Sequence, residues 1–265
     1  MDTPDVVVIT GAGGGIGAAL ANAYAAQGVT LGLVGRDEDK LRRVADACRA
    51  KGAEAVILMA DVTTPEIEEV LRTFDAAHPI DLLIANAGVT SGISDVDGLE
   101  PWDTARRAAE TNFMGALRTI APVVELMVAR GRGQIAGIGS LAALAPLPFS
   151  PAYSASKAGL ETYVLALRHL LAPKGVRLSV ATLGYVETDM SRRLSGPKPF
   201  QISPAEAAFK IKAGLARNKA RISHPVVFAI GIRCLNILPE WLVRLILPAF
   251  AFTISRQGAN TDRLG

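Results

Sequence analysis

Six short runs of apolar, largely β-branched residues alternate with longer stretches of helical periodicity, and this alternation restricts the fold more than any other feature of the chain. The runs are "DVVVIT" (5–10), "TLGLVG" (30–35), "AEAVILMA" (53–60), "IDLLIANA" (80–87), "GQIAGIGS" (133–140) and "VRLSVATL" (176–183). Between them the pattern predicts helices over Ile16–Gln27, Glu38–Lys51, Glu66–Ala77, Trp102–Ala129 and Ala152–Leu171, with Pro122 expected to kink the fourth. Strands that are apolar at nearly every position are buried on both faces, which is the condition of a parallel sheet covered by helices on each side. Right-handed crossovers then favour a doubly wound α/β sheet in a single domain, with ligands bound beyond the carboxyl ends of the strands. At 265 residues, half of them hydrophobic, the chain has enough apolar surface for one such core.

The residues that follow each strand are therefore the ones to inspect. After the first comes "TGAGGGIG", Thr10 to Gly17, opening directly into a helix. Glycines in this place permit a tight turn and close backbone approach, so that free N–H groups and the helix N-terminus can face a pyrophosphate. The alternative is a mere strand-to-helix turn. Its position after the first strand favours a Rossmann-like dinucleotide site. The second strand ends in "VGRD", where Arg36 suits the 2′-phosphate of NADP(H) better than the ribose 2′-hydroxyl of NAD(H), which stays open. Asp37 is a rival acid that can equally cap the next helix. Asp61 and Val62 end the third strand, where the Asp61 carboxylate can accept from an adenine amino group or serve as a helix cap. Asn86, Ala87 and Gly88 end the fourth, where small residues let the backbone pass close to a ribose or simply turn.

In "YSASK", Tyr153 and Lys157 stand four positions apart on one helical face, with Cβ atoms about 5 to 6 Å apart. An ammonium at that range is expected to lower the phenol pKa from near 10 by roughly one to three units, making the pair a proton donor or acceptor near neutral pH. Ser140, at the end of the fifth strand, can hydrogen-bond a substrate carbonyl and stabilise negative charge developing on its oxygen. Taken singly, the three read as a half-buried aromatic, a surface charge and a cap.

Taken together, these elements resemble the short-chain dehydrogenase/reductase family in its short, single-domain branch. "TGAGGGIG" matches the family's TGxxxGxG turn, and Asp61, "NAG" at Asn86, Asn112 in "ETNFMG", Ser140 and "YSASK" follow in the family's order over about residues 5 to 190. The resemblance implies an NAD(P)-dependent oxidoreductase interconverting a ketone and a secondary alcohol. Tyr153 would be the general acid, Lys157 would bind the nicotinamide ribose and lower the Tyr153 pKa, Ser140 would hold the carbonyl, and Asn112 would support Lys157 through a water. Gly11, Gly15, Ile16 and Gly17 would surround the pyrophosphate, and Val186 and Thr188 in "GYVETDM" would reach the carboxamide and diphosphate. A homodimer or homotetramer is also implied. The sequence departs from the family pattern at Gly14, where NADP-preferring members often carry a base, and at Leu183-Gly184 in place of Pro-Gly. No terminal seventh strand with a glycine-rich ending is read.

Several classes are set aside. A net charge of +3 without basic and aromatic interleaving does not point to nucleic acid. Cys48 and Cys234 form no metal-ligand spacing, so no metal site and no disulfide are expected, and the setting is read as reduced and cytoplasmic. The acidic "MDTPD" start does not read as a signal peptide, and no uninterrupted apolar run approaches the roughly 18 residues of a spanning helix. A serine hydrolase is disfavoured because "GIGSL" lacks a Gly two places after Ser140. A redox-inactive dinucleotide sensor or scaffold would be favoured by loss of the Tyr or Lys, and both are present.

The substrate is suggested by two apolar regions. "LAALAPLPFSPA" between Ser140 and Tyr153 offers Leu141, Leu144, Leu147 and Phe149, and "SRRLSGPKPFQIS" after Met190 reads as a lid. From Lys210 to Arg256 eight bases face the single acid Glu240, within a segment containing "PVVFAIGI" and "WLVRLILPAFAF". Residues 1–223 are therefore read as the dinucleotide-binding and catalytic domain, and residues 224–265 as a helical apolar and basic extension. That extension is expected to lie on a membrane, at the inner face, or to contact its own or another subunit. A lipophilic carbonyl substrate is the expectation, with a soluble sugar or polyol carbonyl as the alternative.

Overall fold

A computed structural model describes residues 4–93, 98–235, 237–239, 241–242 and 253–254. The elements follow in the order β1 (Val6–Thr10), α1 (Gly15–Tyr24), β2 (Thr30–Gly35), α2 (Glu38–Arg49), β3 (Glu54–Met59), α3 (Glu66–Ala77), β4 (Leu82–Ala85) and α4 (Trp102–Ala109). A π-helical turn (Glu110–Met114) then joins α4 to α5 (Gly115–Arg130), before β5 (Gly133–Ser140), α6 (Pro151–Leu171), β6 (Val176–Leu183) and α7 (Asp189–Arg192). Last come β7 (Leu194–Ser195), α8 (Pro204–Ala216), β8 (Arg221–His224), α9 (Val226–Leu235) and β9 (Thr253–Ile254).

Seven strands form one sheet in the order β3-β2-β1-β4-β5-β6-β8, and every pairing in it is parallel. Because successive side chains of a strand point to opposite faces, β1 sends Val7 and Ile9 to one core and Val8 to the other. The first core is covered by α1, α2 and α8 through residues such as Leu20, Leu41 and Ile211; the second by α3, α5 and α6 through Leu71, Ile120 and Val164. This is the doubly wound α/β architecture. The reversal of strand order lies between β1 and β4, which opens a crevice above their carboxyl ends.

Two expectations are corrected. A seventh strand does exist: β8 pairs with β6 from Val180↔Arg221 to Leu183↔His224, so the expected division between residues 223 and 224 falls within a strand. The fourth helix is interrupted at Glu110–Met114, while α5 runs through Pro122, whose missing N–H removes one helical hydrogen bond without ending the helix. The helical run Trp102–Arg130, 29 residues, is apolar and long enough to cross a membrane by length and composition, yet Ile120, Val123 and Met127 are fully buried against the sheet. Of the C-terminal extension, Arg244, Pro248 and Arg256 lie outside the described residues.

Candidate active site

The carboxyl ends of β1, β4, β5 and β6 border a cleft of about 740 Å³. At its floor is the glycine turn, which is built by mutual hydrogen bonding between β1 and β4. Thr10 Oγ1 accepts from the N–H groups of Asn86 (3.0 Å) and Ala87 (3.1 Å), and Asn86 Nδ2 donates to the carbonyls of Thr10 (2.9 Å) and Gly11 (3.2 Å). No side chain fits inside this knot. A Cβ on Gly17 would lie 2.2 Å from the Gly11 carbonyl oxygen, and one on Gly11, whose φ is +66°, would lie 2.9 Å from Ala87 Cα. Gly14 precedes α1 and borders the cleft, and a Cβ there would meet no protein atom within 4 Å. Such a bare helix N-terminus facing open space fits a diphosphate.

The opposite end of the crevice holds the reactive side chains. Tyr153 and Lys157 are both presented by α6 to the cleft, with Lys157 Nζ 5.9 Å from the Tyr153 ring centroid. Lys157 is 5% exposed, and its Nζ donates to the Ile138 carbonyl at 2.8 Å. Burial lowers its pKa to about 8. Burial also pushes the Tyr153 phenol up, and a hydrogen bond with Ser140 draws it only partly back. The expected lowering of the Tyr153 pKa is therefore not found. Desolvation penalises charge on the buried Lys157 and, at the cleft wall, on the half-buried Tyr153, and the ammonium is directed to a backbone carbonyl. Ser140 accepts from the Ala142 N–H at 3.2 Å as a cap and is also hydrogen-bonded to Tyr153.

The small residues between Tyr153 and Lys157 have functions that the sequence reading missed. Ser154 Oγ donates to the carbonyls of Ala142 and Ala145, tying the loop after Ser140 to α6. Ser156 Oγ accepts from Asn112 Nδ2 at 3.1 Å. Asn112, fully buried, also donates to the Val89 carbonyl (2.9 Å) and accepts from the Val89 N–H (2.8 Å). Its side chain thus braces the strand-end backbone, and the π-helical turn that carries it stands beside the site, a frequent location for such turns. Gly88 keeps the space between them open, since a Cβ there would lie 3.1 Å from Asn112 Oδ1 and 3.4 Å from Lys157 Nζ.

Gly11, Gly15, Ile16, Asn86, Ala87, Gly88, Ser140, Tyr153, Lys157, Val186 and Thr188 all border the cleft. Thr188 caps α7 through the Ser191 N–H. Gly17 lies beneath the turn, and Val62 is a core residue, packed where a Cβ on Gly115 would meet it. Arg36 and Asp61 face each other across the ends of β2 and β3 at 3.1 Å. Partial burial pulls the Asp61 carboxyl up, but hydrogen bonds from Thr63 and the Arg36 pairing outweigh it and hold it below the ordinary range. Asp37 is a helix cap, accepting from the Lys40 N–H at 3.0 Å. Two bases the sequence reading overlooked, Lys40 and Arg43 on α2, border the cleft. Their spacing of four and seven positions after Arg36, on the helix that follows β2, is the signal that would have found them.

Beyond Ser140 and Tyr153 the cleft wall is largely apolar: Leu141 and Leu147 from the first loop, Met190 and Leu194 from the segment after β6, Phe228 and Ile232 from α9, with Tyr185, Asp189 and Ser191 among them. Leu144 packs instead against Ala229 of α9, and Phe149 does not border the cleft.

Comparison with known proteins agrees with this geometry. The family model for short chain dehydrogenases matches residues 5–198. The chain is 35% identical over 235 residues to an uncharacterized oxidoreductase of Myxococcus xanthus, covering 88% of this chain and 92% of that one. It is 32% identical over 222 residues to the ketoacyl reductase HetN of a Nostoc species, covering 82% of this chain and 77% of that one. The fold superimposes on a short-chain dehydrogenase from Sphingobium yanoikuyae in complex with NADPH with a TM-score of 0.77, at 28% identity, covering 91% and 96% of the two chains. With the glycine turn, the Tyr153–Lys157 pair and Ser140 gathered on one parallel sheet, the chain belongs to the short-chain dehydrogenase/reductase family and is an NAD(P)-dependent oxidoreductase.

Proposed function

We propose that the protein is an NADP(H)-dependent ketoreductase acting on a lipophilic carbonyl compound. The observation that carries this reading is the apolar wall opposite the Ser140–Tyr153 pair, contributed by three separate segments of the chain. A sugar or polyol would leave its hydroxyls unpaired against that wall. The ketoacyl reductase among the relatives supports the same substrate class. For the cofactor, Asp37 is paired with Lys40 and Asp61 with Arg36, and Arg43, which borders the cleft with Lys40, leaves an excess of positive charge for a 2′-phosphate. The NADPH-bound neighbour is in keeping with this preference.

When bound, the reduced cofactor supplies a hydride to the carbonyl carbon. Ser140 donates its hydroxyl hydrogen to the carbonyl oxygen and stabilises the charge that develops there. Tyr153 transfers its phenolic proton to that oxygen, yielding the secondary alcohol. Lys157, cationic below about pH 8, stabilises the phenolate left behind and orients the ribose. Asn112 and Ser156 fix the backbone around the pair. Arg36→Ser is expected to weaken NADPH binding by about tenfold or more while leaving NADH binding within about twofold. Equal losses for the two cofactors would remove the basis for the NADP preference.

A peripheral contact with a membrane is part of the same proposal. Val226, Val227 and Ile230 of α9, the helix that lines the cleft through Phe228 and Ile232, expose apolar surface, as do Ile237 and Trp241 after it. Flotation of the intact protein with anionic vesicles is the expected result; no flotation would remove this element. Assembly as a homodimer or homotetramer, proposed with it, is read from light scattering.

A further inference from the structure

Glu161 lies on α6, one further turn along the helix from Lys157, and the chemistry above does not use it. It is 7% exposed. Its carboxylate joins four elements: Oε2 accepts from Thr182 Oγ1 of β6 at 3.2 Å, and Oε1 accepts from Arg221 Nε of β8 at 2.9 Å. The same Oε1 stands 3.5 Å from an Nη of Arg233 on α9, a nitrogen that is buried without a hydrogen bond of its own. Arg233 adjoins Ile232, which with Phe228 borders the cleft and packs with Leu141. On the same helix Ala229 packs on Leu141 and Leu144, and the Phe228 ring meets Phe200 edge to face at 5.0 Å. The helix that carries the catalytic pair is thus linked by one buried carboxylate to a helix that lines the cleft.

We propose that Glu161 and Arg233 are specificity-positioning residues: their ion pair docks α9 on the catalytic helix, so that Phe228 and Ile232 stand at a fixed depth and set how long an acyl chain the cleft accepts. The proposal rests on the reading of the apolar cleft as a lipophilic substrate site. A carboxylate taken out of water needs a partner, and Glu161 keeps Arg221 when the half-exposed Arg233 is removed, so Arg233→Met loosens α9 without leaving an orphaned buried carboxylate. Glu161→Gln would instead leave two guanidinium groups facing each other, which makes it the poorer test.

The experiment compares the intact protein with Arg233→Met, Arg233→Lys and Ile232→Ala over a series of ketones of increasing acyl length with NADPH, and follows backbone hydrogen exchange across residues 226–235. Arg233→Met is expected to raise KM for the longest ketone by about five- to tenfold, with kcat and KM for the shortest ketone and KM for NADPH unchanged. Exchange in α9 should accelerate by about tenfold while α6 keeps its protection. Arg233→Lys should restore most of both, and Ile232→Ala should shift the chain-length profile without the change in exchange. An Arg233→Met protein with the parent's profile and the parent's exchange overturns the proposal, as does an equal loss for short and long ketones. If the parent reduces no ketone in the series, the lipophilic reading itself fails, and the exchange measurement still decides whether the pair docks α9.

Discussion

Lys157 illustrates how this site sets its own working range. Its ammonium is almost completely removed from water and holds one carbonyl, so the charged form is disfavoured and the pKa falls to about 8. The Tyr153 phenol is shifted the other way and stays protonated across the neutral range. Below about 8 the pair is therefore an ammonium beside a neutral phenol, the form that reduction needs; above it the ammonium is lost first. With NADPH and a ketone, kcat/KM is expected to fall with rising pH through about 8, reaching about a tenth one pH unit higher. A profile flat to about pH 10 would contradict the assignment. That Ser140, Tyr153 and Lys157 border one cleft was legible in the sequence because strand-end placement and helical spacing survive without tertiary information. The direction of the Tyr153 shift was not, because spacing places an ammonium nearby but says nothing of the dryness around it.

At the scale of elements, the glycine turn separates glycines the fold requires from those the ligand requires. Gly17→Ala would drive a methyl into the Gly11 carbonyl and Asn86, breaking the bonds between β1 and β4. Gly14→Ala meets no protein atom. Fluorescence titration with NADPH is expected to show loss of about a hundredfold or more in affinity for Gly17→Ala, with unaltered thermal stability only for Gly14→Ala. Equal behaviour of the two would contradict the packing described. Six strands could be read from their apolar runs. β8 was missed because "RISH" is short, carries one buried apolar side chain, Ile222, and borrows its identity from pairing with β6. The break at Glu110–Met114 was likewise invisible, since it arises from where Asn112 is anchored and not from a helix-breaking residue.

For the whole molecule, the sheet and its cofactor crevice are complete without α9, while the substrate end of the cleft is not. Removal of residues 226–265 leaves all seven strands of the main sheet and uncovers Leu141 and Leu144. The shortened protein is expected to bind NADPH within about threefold of the full chain and to lose its dependence on acyl length, as read from KM across the ketone series. Retained chain-length dependence would place the specificity elsewhere. The sequence distinguished this C-terminal region by its composition but not by its position. A run of bases and apolar residues looks alike whether it lies on a membrane or closes a pocket; in the fold α9 exposes Val226, Val227 and Ile230 and lines the cleft with Phe228 and Ile232.

Tyr153 is proposed to protonate a lipophilic carbonyl reduced at this site. NADPH oxidation over the ketone series, with sugar carbonyls in parallel and Tyr153→Phe as the paired variant, tests it most directly. Turnover is expected to increase with acyl length, with little turnover of sugars and a drop of about a hundredfold or more in Tyr153→Phe with NADPH affinity preserved. Turnover unaffected by Tyr153→Phe, or tight NADPH binding with no ketone reduced, would contradict it.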